Sequence, residues 1–227
     1  MGFLYDRSAR LVRRIYDSRV AGQPVLDAAE HFPGAARFAA AWPQLRDEAL
    51  AVAKQLQKVP RFHDIMPEQA EISANDGRDW RMYILQAYGV AEQSRMAACP
   101  TLAALVRQNP EVLSASFSFM APGKHIPPHR GPFRGITRFY MGLIMPRLAD
   151  GRPAAVLTVD GQEYRVAEGE WMVWDDTFVH EVRNDGNSVR CVLLLDVWRR
   201  HMPFDMRLLS RTVIATVSAG VKLRGVG

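Results

Sequence analysis

The pattern of apolar and polar residues changes near residue 80 of this 227-residue chain. Before that point, apolar residues recur at the three- and four-residue spacing of amphipathic helices. Beyond it, with one interruption, short runs rich in β-branched and aromatic residues follow one another, and Asp-Gly pairs at 150–151, 160–161 and 185–186 separate several of them. We therefore expect a mainly β protein with flanking helices packed on one outer face of a sandwich or barrel.

The helical pattern occupies three segments. Residues 3–20 mix apolar residues with arginines, which predicts a basic amphipathic helix. A second helix is predicted over residues 34–58, where Pro43 marks a break or a first turn, and a third over residues 99–110. The strand-like runs are RMYILQAY, SASFSFM, GITRFYMGLIM, AAVLTV, QEYRV, EWMVW, HEVRN and RCVLLLDVW, and TVDGQEYRV predicts a β-hairpin.

The two ends of the chain differ from its middle. We expect residues 1–30 to form a helical extension, residues 31–203 to form the folded domain and residues 204–227 to form an apolar, cationic tail. The tail is either a last helix packed on the barrel or a segment that lies in a membrane interface. It is too short to span a bilayer, and no other window reaches the roughly 20 apolar residues that a spanning helix needs.

Composition narrows the classes of function. The net charge is +5, with arginine far outnumbering lysine, and the planar guanidinium suits carboxylate and phosphate partners. No basic run carries interleaved aromatic residues, so we expect no nucleic-acid binding. Cys99 and Cys191 follow no metal or redox spacing, and the first residues lack the apolar region of a secretory signal. A cytoplasmic location is expected, which leaves room for peripheral contact with the inner face of a membrane.

The stretch PGKHIPPHRGPF, residues 122–133, sets histidines in a frame of proline and glycine. Proline fixes φ and glycine allows close approach, so the frame can hold an imidazole in one direction, as a metal ligand or a proton carrier requires. His129 ends this strand-like stretch, and His180 in DDTFVHEV begins another strand. On a small barrel the two can converge at one mouth, where two histidines and one carboxylate commonly hold Fe(II). The position that should carry the carboxylate is Gly131.

Three segments carry a specific resemblance: SFMAPGKHIPPHRGP, RFYMGLIMP and GEWMVWDDTFVHEVRNDGNSVRCVLLLDVW. In their order and spacing they resemble the aspartyl/asparaginyl β-hydroxylase family, and the match extends to DWRMYILQAYG and, more weakly, to FPGAARFAAAWPQLRDEALAV. The resemblance covers roughly residues 31–203. It implies a double-stranded β-helix (jelly roll, cupin-like) and a dioxygenase domain that depends on Fe(II), 2-oxoglutarate and O2.

By this resemblance, His129 and His180 are the iron ligands and the catalytic residues. The family tolerates glycine at the third ligand position, where water coordinates instead, so Gly131 is compatible with activity. His125 also lies within the motif. We expect it to be a framework residue, because four residues of extended chain place it too far along the strand to bind the same ion.

The resemblance also implies which residues bind 2-oxoglutarate. Arg190 is expected to hold the distal carboxylate through two hydrogen bonds, aided by Ser118. Arg138 and Trp80 are expected to lie near the co-substrate. Tyr140 departs from the family pattern, because known members carry histidine two residues after the arginine that Arg138 matches. A phenol cannot become cationic near neutral pH, so the departure bears on co-substrate geometry and affinity.

The remaining polar and aromatic residues near these motifs are given structural roles. Asp175 and Asp176 offer carboxylates just before His180, but we prefer a tight turn there, with a capping role for one of them. Three histidines are assigned to the surface or to packing: His31, His63 and His201. Three tryptophans are assigned to the core rather than to a substrate platform: Trp171, Trp174 and Trp198.

The implied reaction is the hydroxylation of an unactivated C–H bond. The substrate is an Asp/Asn-type residue of a peptide, an acyl lipid of the kind that lipid A and ornithine-lipid hydroxylases use, or a small acidic metabolite. The basic first helix and the cationic tail favour an anionic or lipid-like substrate. Two other functions are weighed. A non-catalytic barrel would keep the metal as a sensor or binding module, and an iron halogenase would place chloride at the ligand position that Gly131 leaves open.

Overall fold

Helices come first along the chain and strands follow, as the pattern predicts. The computed structural model describes the backbone of residues 2–226 and the side chains of residues 11–226. The strands are β1 (Val25–Leu26), β2 (Trp80–Ala87), β3 (Val90–Ala91), β4 (Val112–Met120), β5 (His125–His129), β6 (Ile136–Ile144), β7 (Ala155–Val159), β8 (Gln162–Tyr164), β9 (Trp171–Trp174), β10 (His180–Asn184) and β11 (Arg190–Trp198). The α-helices are α1 (Gly2–Arg19), α2 (Ala28–His31), α3 (Ala35–Ala40), α4 (Trp42–Ala53), α5 (Phe62–Ile65), α6 (Ala70–Ser73), α7 (Gln93–Ala98), α8 (Pro100–Gln108) and α9 (Phe204–Arg224).

The strands form two antiparallel sheets. The larger has the order β1-β9-β6-β11-β4-β2-β3, and the smaller has the order β5-β10-β7-β8. From β4 to β11, successive strands change sheet at every step except the β7–β8 hairpin. This exchange of strands between two sheets is the topology of a jelly roll. The fold is therefore a double-stranded β-helix with flanking helices, which confirms the predicted fold class.

Both faces of the larger sheet are covered. Alternation along β11 directs Cys191 and Leu193 to one face and Arg190 and Val192 to the other. The first face packs against α3, α4, α7 and α8 in one buried cluster. The second face meets the smaller sheet in a separate cluster that includes Val182. The interior between the two sheets therefore receives every second residue of each strand.

Most predicted elements are present with shifted ends. The helix predicted over residues 34–58 is divided into α3 and α4, with Pro43 in the first turn of α4. The predicted hairpin joins β7 to β8 through Asp160 and Gly161, whose φ angles of 50° and 81° are those of a type I′ turn. The short helices α5, α6 and α7 were not predicted, because four to six residues are too few to show a helical period.

The helices at the two ends of the chain pack on each other. The hydroxyl of Tyr16 in α1 lies 2.7 Å from Oγ of Ser210 in α9, and both helices share a buried cluster with Phe133. One face of the tail thus packs as a last helix. The side chains of residues 3–10, part of the predicted amphipathic pattern, lie outside the described residues. Between residues 2 and 226, no helix combines the length and hydrophobicity that crossing a bilayer requires.

Candidate functional site

His129 and His180 face each other across neighbouring strands. They are directly paired residues of β5 and β10, so their side chains project to the same face of the smaller sheet. Their ring centroids lie 4.0 Å apart, with the ring planes inclined at 55°. Pro127 and Pro128 precede His129, and β5 accommodates them because it is an edge strand of this sheet. The structure therefore brings together the two histidines that the sequence singled out.

One nitrogen of each imidazole is committed to the backbone. Nδ1 of His129 lies 2.8 Å from the carbonyl oxygen of Pro127, and Nδ1 of His180 lies 2.9 Å from that of Phe178. A carbonyl oxygen only accepts hydrogen bonds, so each Nδ1 carries the proton and each Nε2 keeps its lone pair. Burial lowers the pKa of both rings, that of His180 to about 2 with a further contribution from His129. Two neutral imidazoles with free Nε2 atoms are a donor set for a transition metal.

The space beside Gly131 is filled by the carboxylate of Asp176. A Cβ atom at Gly131 would lie 2.5 Å from Cγ of Asp176, and the amide of Gly131 donates to the carbonyl oxygen of Asp176 at 2.7 Å. Burial raises the pKa of this carboxyl to about 6. The preferred assignment of Asp176 to a tight turn is thus incomplete, because its side chain turns inward to the segment after His129. Among the described residues, no three His, Cys, Asp or Glu side chains are arranged to hold a metal.

Asp175 forms the turn that was predicted before His180. Its Oδ1 accepts hydrogen bonds from the amide of Thr177 at 3.0 Å and from the Thr177 hydroxyl at 2.6 Å. Its Oδ2 pairs with Arg134 at 3.1 Å and with Arg199. The carboxylate of Asp175 is therefore fully used in holding the turn and is not a candidate metal ligand.

Arg190 is a buried cation in the interior between the sheets. Its side chain is 2% exposed. Nη2 donates to the Tyr140 hydroxyl at 2.8 Å, Nη1 donates to Oγ of Ser118 at 3.5 Å, and Nε has no hydrogen-bond partner. Nε1 of Trp80 donates to the same Ser118 hydroxyl at 3.0 Å. In the part of the chain that the structure describes, no carboxylate pairs with this guanidinium. Because an unpaired buried cation is costly, the geometry has the capacity to hold an anion.

Arg138 belongs to a different group from Arg190. Its Nη2 lies 3.1 Å from Asp176 and 3.1 Å from Asp196. Burial lowers the pKa of Arg138, but the two carboxylates outweigh it and hold the pKa above its ordinary value. The guanidinium lies 6.0 Å from the Trp174 ring centroid. Arg138 therefore pairs with Asp176, the aspartate beside Gly131, and its predicted contact with the co-substrate stays a prediction.

Trp174, which the sequence pattern assigns to the core alone, is also a neighbour of the histidine pair. It is buried as predicted, but its ring also meets His180 edge-on with centroids 4.7 Å apart. Its Nε1 is buried without a hydrogen-bond partner. In the structure Trp174 is paired with Arg138 on the adjacent strand, so both side chains project to the same face of the larger sheet.

The other histidines lie away from the pair. Nε2 of His125 lies 2.7 Å from Glu181, and the His125 side chain is 40% exposed, which agrees with a framework role. Nδ1 of His63 lies 2.9 Å from the Ser73 hydroxyl. The rings of His31 and His201 contact each other with centroids 5.6 Å apart. Trp171 packs against the helix-side core and Trp198 against the cluster of the terminal helices.

Comparison with known proteins matches most of the chain to one family. A sequence model of the family described as Aspartyl/Asparaginyl beta-hydroxylase matches residues 39–200. The ornithine lipid ester-linked acyl 2-hydroxylase of Rhizobium tropici is 35% identical over 179 residues, which is 79% of this chain and 62% of that protein. The human aspartyl/asparaginyl beta-hydroxylase is 27% identical over 171 residues, which is 73% of this chain and 21% of that protein. The chain thus spans less than two thirds of either relative.

Similar solved structures include a predicted oxalate decarboxylase from Thermotoga maritima, with a TM-score of 0.35 at 13% identity over 53% of this chain and 81% of that chain. The cupin domain of an XRE family transcriptional regulator from Enterobacter cloacae has a TM-score of 0.34 at 11% identity over 53% of this chain and 98% of that chain.

Proposed function

Since the chain belongs to the aspartyl/asparaginyl β-hydroxylase family, we propose that it is an Fe(II)- and 2-oxoglutarate-dependent dioxygenase that hydroxylates an unactivated C–H bond. The observation that carries the proposal is a pair of neutral histidines in the same barrel as a buried guanidinium that no described carboxylate neutralises. The histidines supply metal donors, and the guanidinium supplies a site for a carboxylate co-substrate.

The residues present fit an iron ion. His129 and His180 would hold it through Nε2, because hydrogen bonds to the backbone fix the proton on Nδ1 of both rings. The carboxylate of Asp176 lies beside Gly131 and would lower the cost of placing a cation there. When bound, iron with 2-oxoglutarate and O2 supplies the oxidising chemistry, which puts one oxygen atom into a C–H bond and converts 2-oxoglutarate to succinate and CO2.

The residues around Arg190 fit a carboxylate. The guanidinium would donate to it as a charged, planar donor. The hydroxyl of Tyr140 accepts its hydrogen bond from Arg190, so its own proton remains available for a carboxylate oxygen. Ser118 is held in place by Trp80. Because the side chains of this group are packed between the two sheets, they also keep water away from the bound carboxylate.

An acyl lipid is the substrate class that we propose. The relative from Rhizobium tropici carries the name of an acyl 2-hydroxylase and shares 35% identity with this chain, against 27% for the human aspartyl/asparaginyl beta-hydroxylase. The cationic, apolar helices at the two ends also suit a lipid with an anionic surface around it. An Asp/Asn-type side chain in a peptide is the second candidate, because the human relative carries that name.

The position beside Gly131 is less suited to halogenation. A halogenase would need a chloride where the carboxylate ligand is missing. In this chain that space adjoins the carboxylate of Asp176, and two anions at such close range repel each other strongly in a buried site. Hydroxylation is therefore the reaction that the side chains favour.

A turnover assay tests the proposal. Protein loaded anaerobically with Fe(II) receives 2-oxoglutarate, O2 and either an ornithine lipid or an Asp-containing peptide. We expect succinate in equal amount to a lipid product that is heavier by one oxygen atom. His129→Ala should abolish both signals, whereas His125→Gln on the same strand should retain them. Full turnover by His129→Ala would overturn the ligand assignment, and metal binding without succinate would identify a non-catalytic binding module instead.

A further inference from the structure

The exposed apolar side chains of the protein are concentrated on its two terminal helices. Seven large apolar side chains are solvent-exposed in the described part of the chain. Six of them belong to α1 and α9, namely Leu11, Ile15, Phe204, Leu208, Val217 and Leu223. The exposed fractions are high, at 74% for Phe204 and 88% for Leu223. Exposed apolar surface that clusters in this way marks an interaction site.

The positive charge of the chain is concentrated on the same two helices. In sequence, α1 contains five arginines and two aspartates, and α9 contains three arginines, one lysine and one aspartate. These two helices thus hold a formal charge of +6, whereas the whole chain carries +5. The rest of the protein is therefore close to neutral, and the electrostatic attraction of the molecule for an anionic partner originates from these two helices.

Cationic and apolar side chains share the outward face of α9. The buried residues of this helix recur every fourth position, at Met206, Ser210 and Ile214. The opposite face is exposed and carries, in order along the helix, Phe204, Leu208, Arg211, Ala215, Ala219 and Lys222. The guanidinium of Arg207 lies 5.8 Å from the Phe204 ring centroid. This arrangement mixes the two chemistries along one stripe rather than separating a charged face from an apolar one.

The outward face of α1 continues the same mixture. Leu11, Arg14 and Ile15 are exposed, whereas the next residue, Tyr16, is completely buried. Arg19 of α1 pairs with Asp205 of α9 at 2.7 Å. Because the end of α1 meets the start of α9 and Tyr16 meets a later turn of α9, the two helices lie antiparallel in one layer.

We propose that the outward faces of α1 and α9 form a docking surface for an anionic membrane. On an exposed face that mixes the two chemistries, apolar side chains can enter the acyl boundary while the long arginine and lysine side chains extend to the lipid phosphates. A nucleic acid would use the cations alone and leave Phe204, Leu208 and Leu223 in water. A bilayer is the occupant that uses both.

The inward faces of the same two helices pack against the loop that follows His129. The loop of residues 130–135 leaves β5 directly after its last histidine and rests on both helices. Phe133 meets the ring of Tyr16 in α1 edge-on, with centroids 5.1 Å apart. A Cβ atom at Gly135 would lie 2.6 Å from Oγ of Ser210 in α9. A membrane docked on the outward faces of the two helices would therefore be separated from the loop that follows His129 by the thickness of those helices.

Vesicle sedimentation tests the docking surface without iron, 2-oxoglutarate or turnover, so its failure is distinct from failure of the hydroxylase proposal. The full chain is mixed with vesicles of phosphatidylcholine alone or of phosphatidylcholine with phosphatidylglycerol. We expect binding to the anionic vesicles, little binding to the neutral ones, and weaker binding as salt rises. Absence of binding to anionic vesicles at low salt would overturn the proposal.

Two double variants separate the cationic and apolar contributions. Arg207→Gln with Arg211→Gln removes two exposed charges, and Phe204→Ser with Leu208→Ser removes two exposed apolar groups. Each pair is expected to weaken binding to anionic vesicles by about tenfold or more. Affinity that is unchanged in both pairs would place lipid binding elsewhere on the molecule and overturn the proposal.

A matched control and a second readout complete the test. Arg37→Gln with Arg107→Gln removes two exposed arginines of α3 and α8, and an equal loss of binding there would overturn the assignment to the helices. Cys99 and Cys191 are buried, so an environment-sensitive fluorophore can be attached specifically to Leu208→Cys. Its emission should shift on addition of anionic vesicles, and a label at Arg107→Cys should not respond. A Leu208→Cys signal that depends on protein concentration without vesicles would identify a second copy as the occupant instead.

Discussion

Gly131 and Asp176 occupy each other's space beside the histidine pair: a Cβ atom at position 131 would lie 2.5 Å from Cγ of Asp176. The glycine that removes the expected carboxylate ligand therefore also admits a carboxylate from another loop. Arg138 pairs with that carboxylate at 3.1 Å. Asp176 is therefore held beside Gly131 from the loop before β10, not from the strands that carry the two histidines.

Gly131→Ala is expected to destabilise the protein by about 1–3 kcal/mol, because the added methyl group overlaps the Asp176 side chain. In the double variant with Asp176→Ala, the overlap is absent. We expect the cost of the double variant to be lower than the sum of the two single costs by about 1 kcal/mol or more, as contacting residues show. Urea unfolding of the four proteins measures this, and strictly additive free energies would contradict the predicted packing.

Arg190→Gln should abolish the rise in unfolding temperature that 2-oxoglutarate binding gives to the protein. With Mn(II) and 2-oxoglutarate at about 100 times the dissociation constant, bound ligand stabilises the native state by about 2.7 kcal/mol, which raises the unfolding temperature by roughly 5–10 °C. We expect this shift in the wild-type protein and its loss in Arg190→Gln. Without ligand, the variant should be about as stable as the wild type, because the substitution removes a buried cation that has no ion pair among the described residues.

The control for that substitution is Arg37→Gln, which removes an exposed arginine of α3 and should leave the thermal shift unchanged. If Arg190→Gln unfolds without ligand while Arg37→Gln does not, the guanidinium serves the fold rather than the co-substrate.

Tyr140→Phe should weaken 2-oxoglutarate binding by about tenfold to a hundredfold, the value of one hydrogen bond to a charged group. The phenol accepts from Arg190 at 2.8 Å and has its own proton free to donate. The dissociation constant is measured by calorimetry on the Mn(II)-loaded protein. Tyr164→Phe, at a partly buried tyrosine of β8, is the matched control. Equal affinities in wild type and Tyr140→Phe would exclude the phenol from the co-substrate site.

The alternation of the strands explains how much of this site the sequence could predict. Runs of β-branched residues located β4 to β11 within a few residues, and the two histidines stood at strand ends that a barrel brings together. Arg190 begins an apolar run, so burial of its cation could be expected as well. The carboxylate partner expected for Arg190 is that of 2-oxoglutarate and stays a prediction, and among the described residues its side-chain partners are the hydroxyls of Tyr140 and Ser118.

Contacts between distant loops could not be predicted from local pattern. Asp176 reaches Gly131 because the turn before His180 directs Asp175 to Arg134 and Arg199 and directs Asp176 to Gly131. Both aspartates are buried, and two adjacent aspartates in the sequence do not show which one takes which direction. The ends of the chain were read as separate segments, but α1 and α9 meet through Tyr16 and Ser210, which are 194 positions apart. Periodicity indicates which face of a helix is apolar, and it does not indicate which other helix covers that face.

The two cysteines should be unreactive in the native protein. Burial raises the pKa of Cys99 to about 12 and raises that of Cys191 as well, so at pH 8 almost no thiolate is present. Ellman's reagent should label neither residue until the protein is unfolded, when both react. Each thiol has a higher pKa in the folded protein than in the unfolded chain. The two thiols therefore do not reduce the free energy of unfolding below about pH 8.5, and they lower it progressively as the pH rises above that value. Rapid labelling of the folded protein at pH 8 would contradict this burial.

The proposed function requires His129 and His180 to bind one metal ion and Arg190 to bind the distal carboxylate of the same 2-oxoglutarate molecule. Anomalous X-ray scattering from crystals grown anaerobically with Mn(II) and 2-oxoglutarate locates both the metal and the co-substrate. We predict a single manganese peak within bonding distance of both Nε2 atoms, and density for the co-substrate with its distal carboxylate on the Arg190 guanidinium. A peak bonded to neither or only one of the two imidazoles, or a co-substrate bound away from Arg190, would contradict the account.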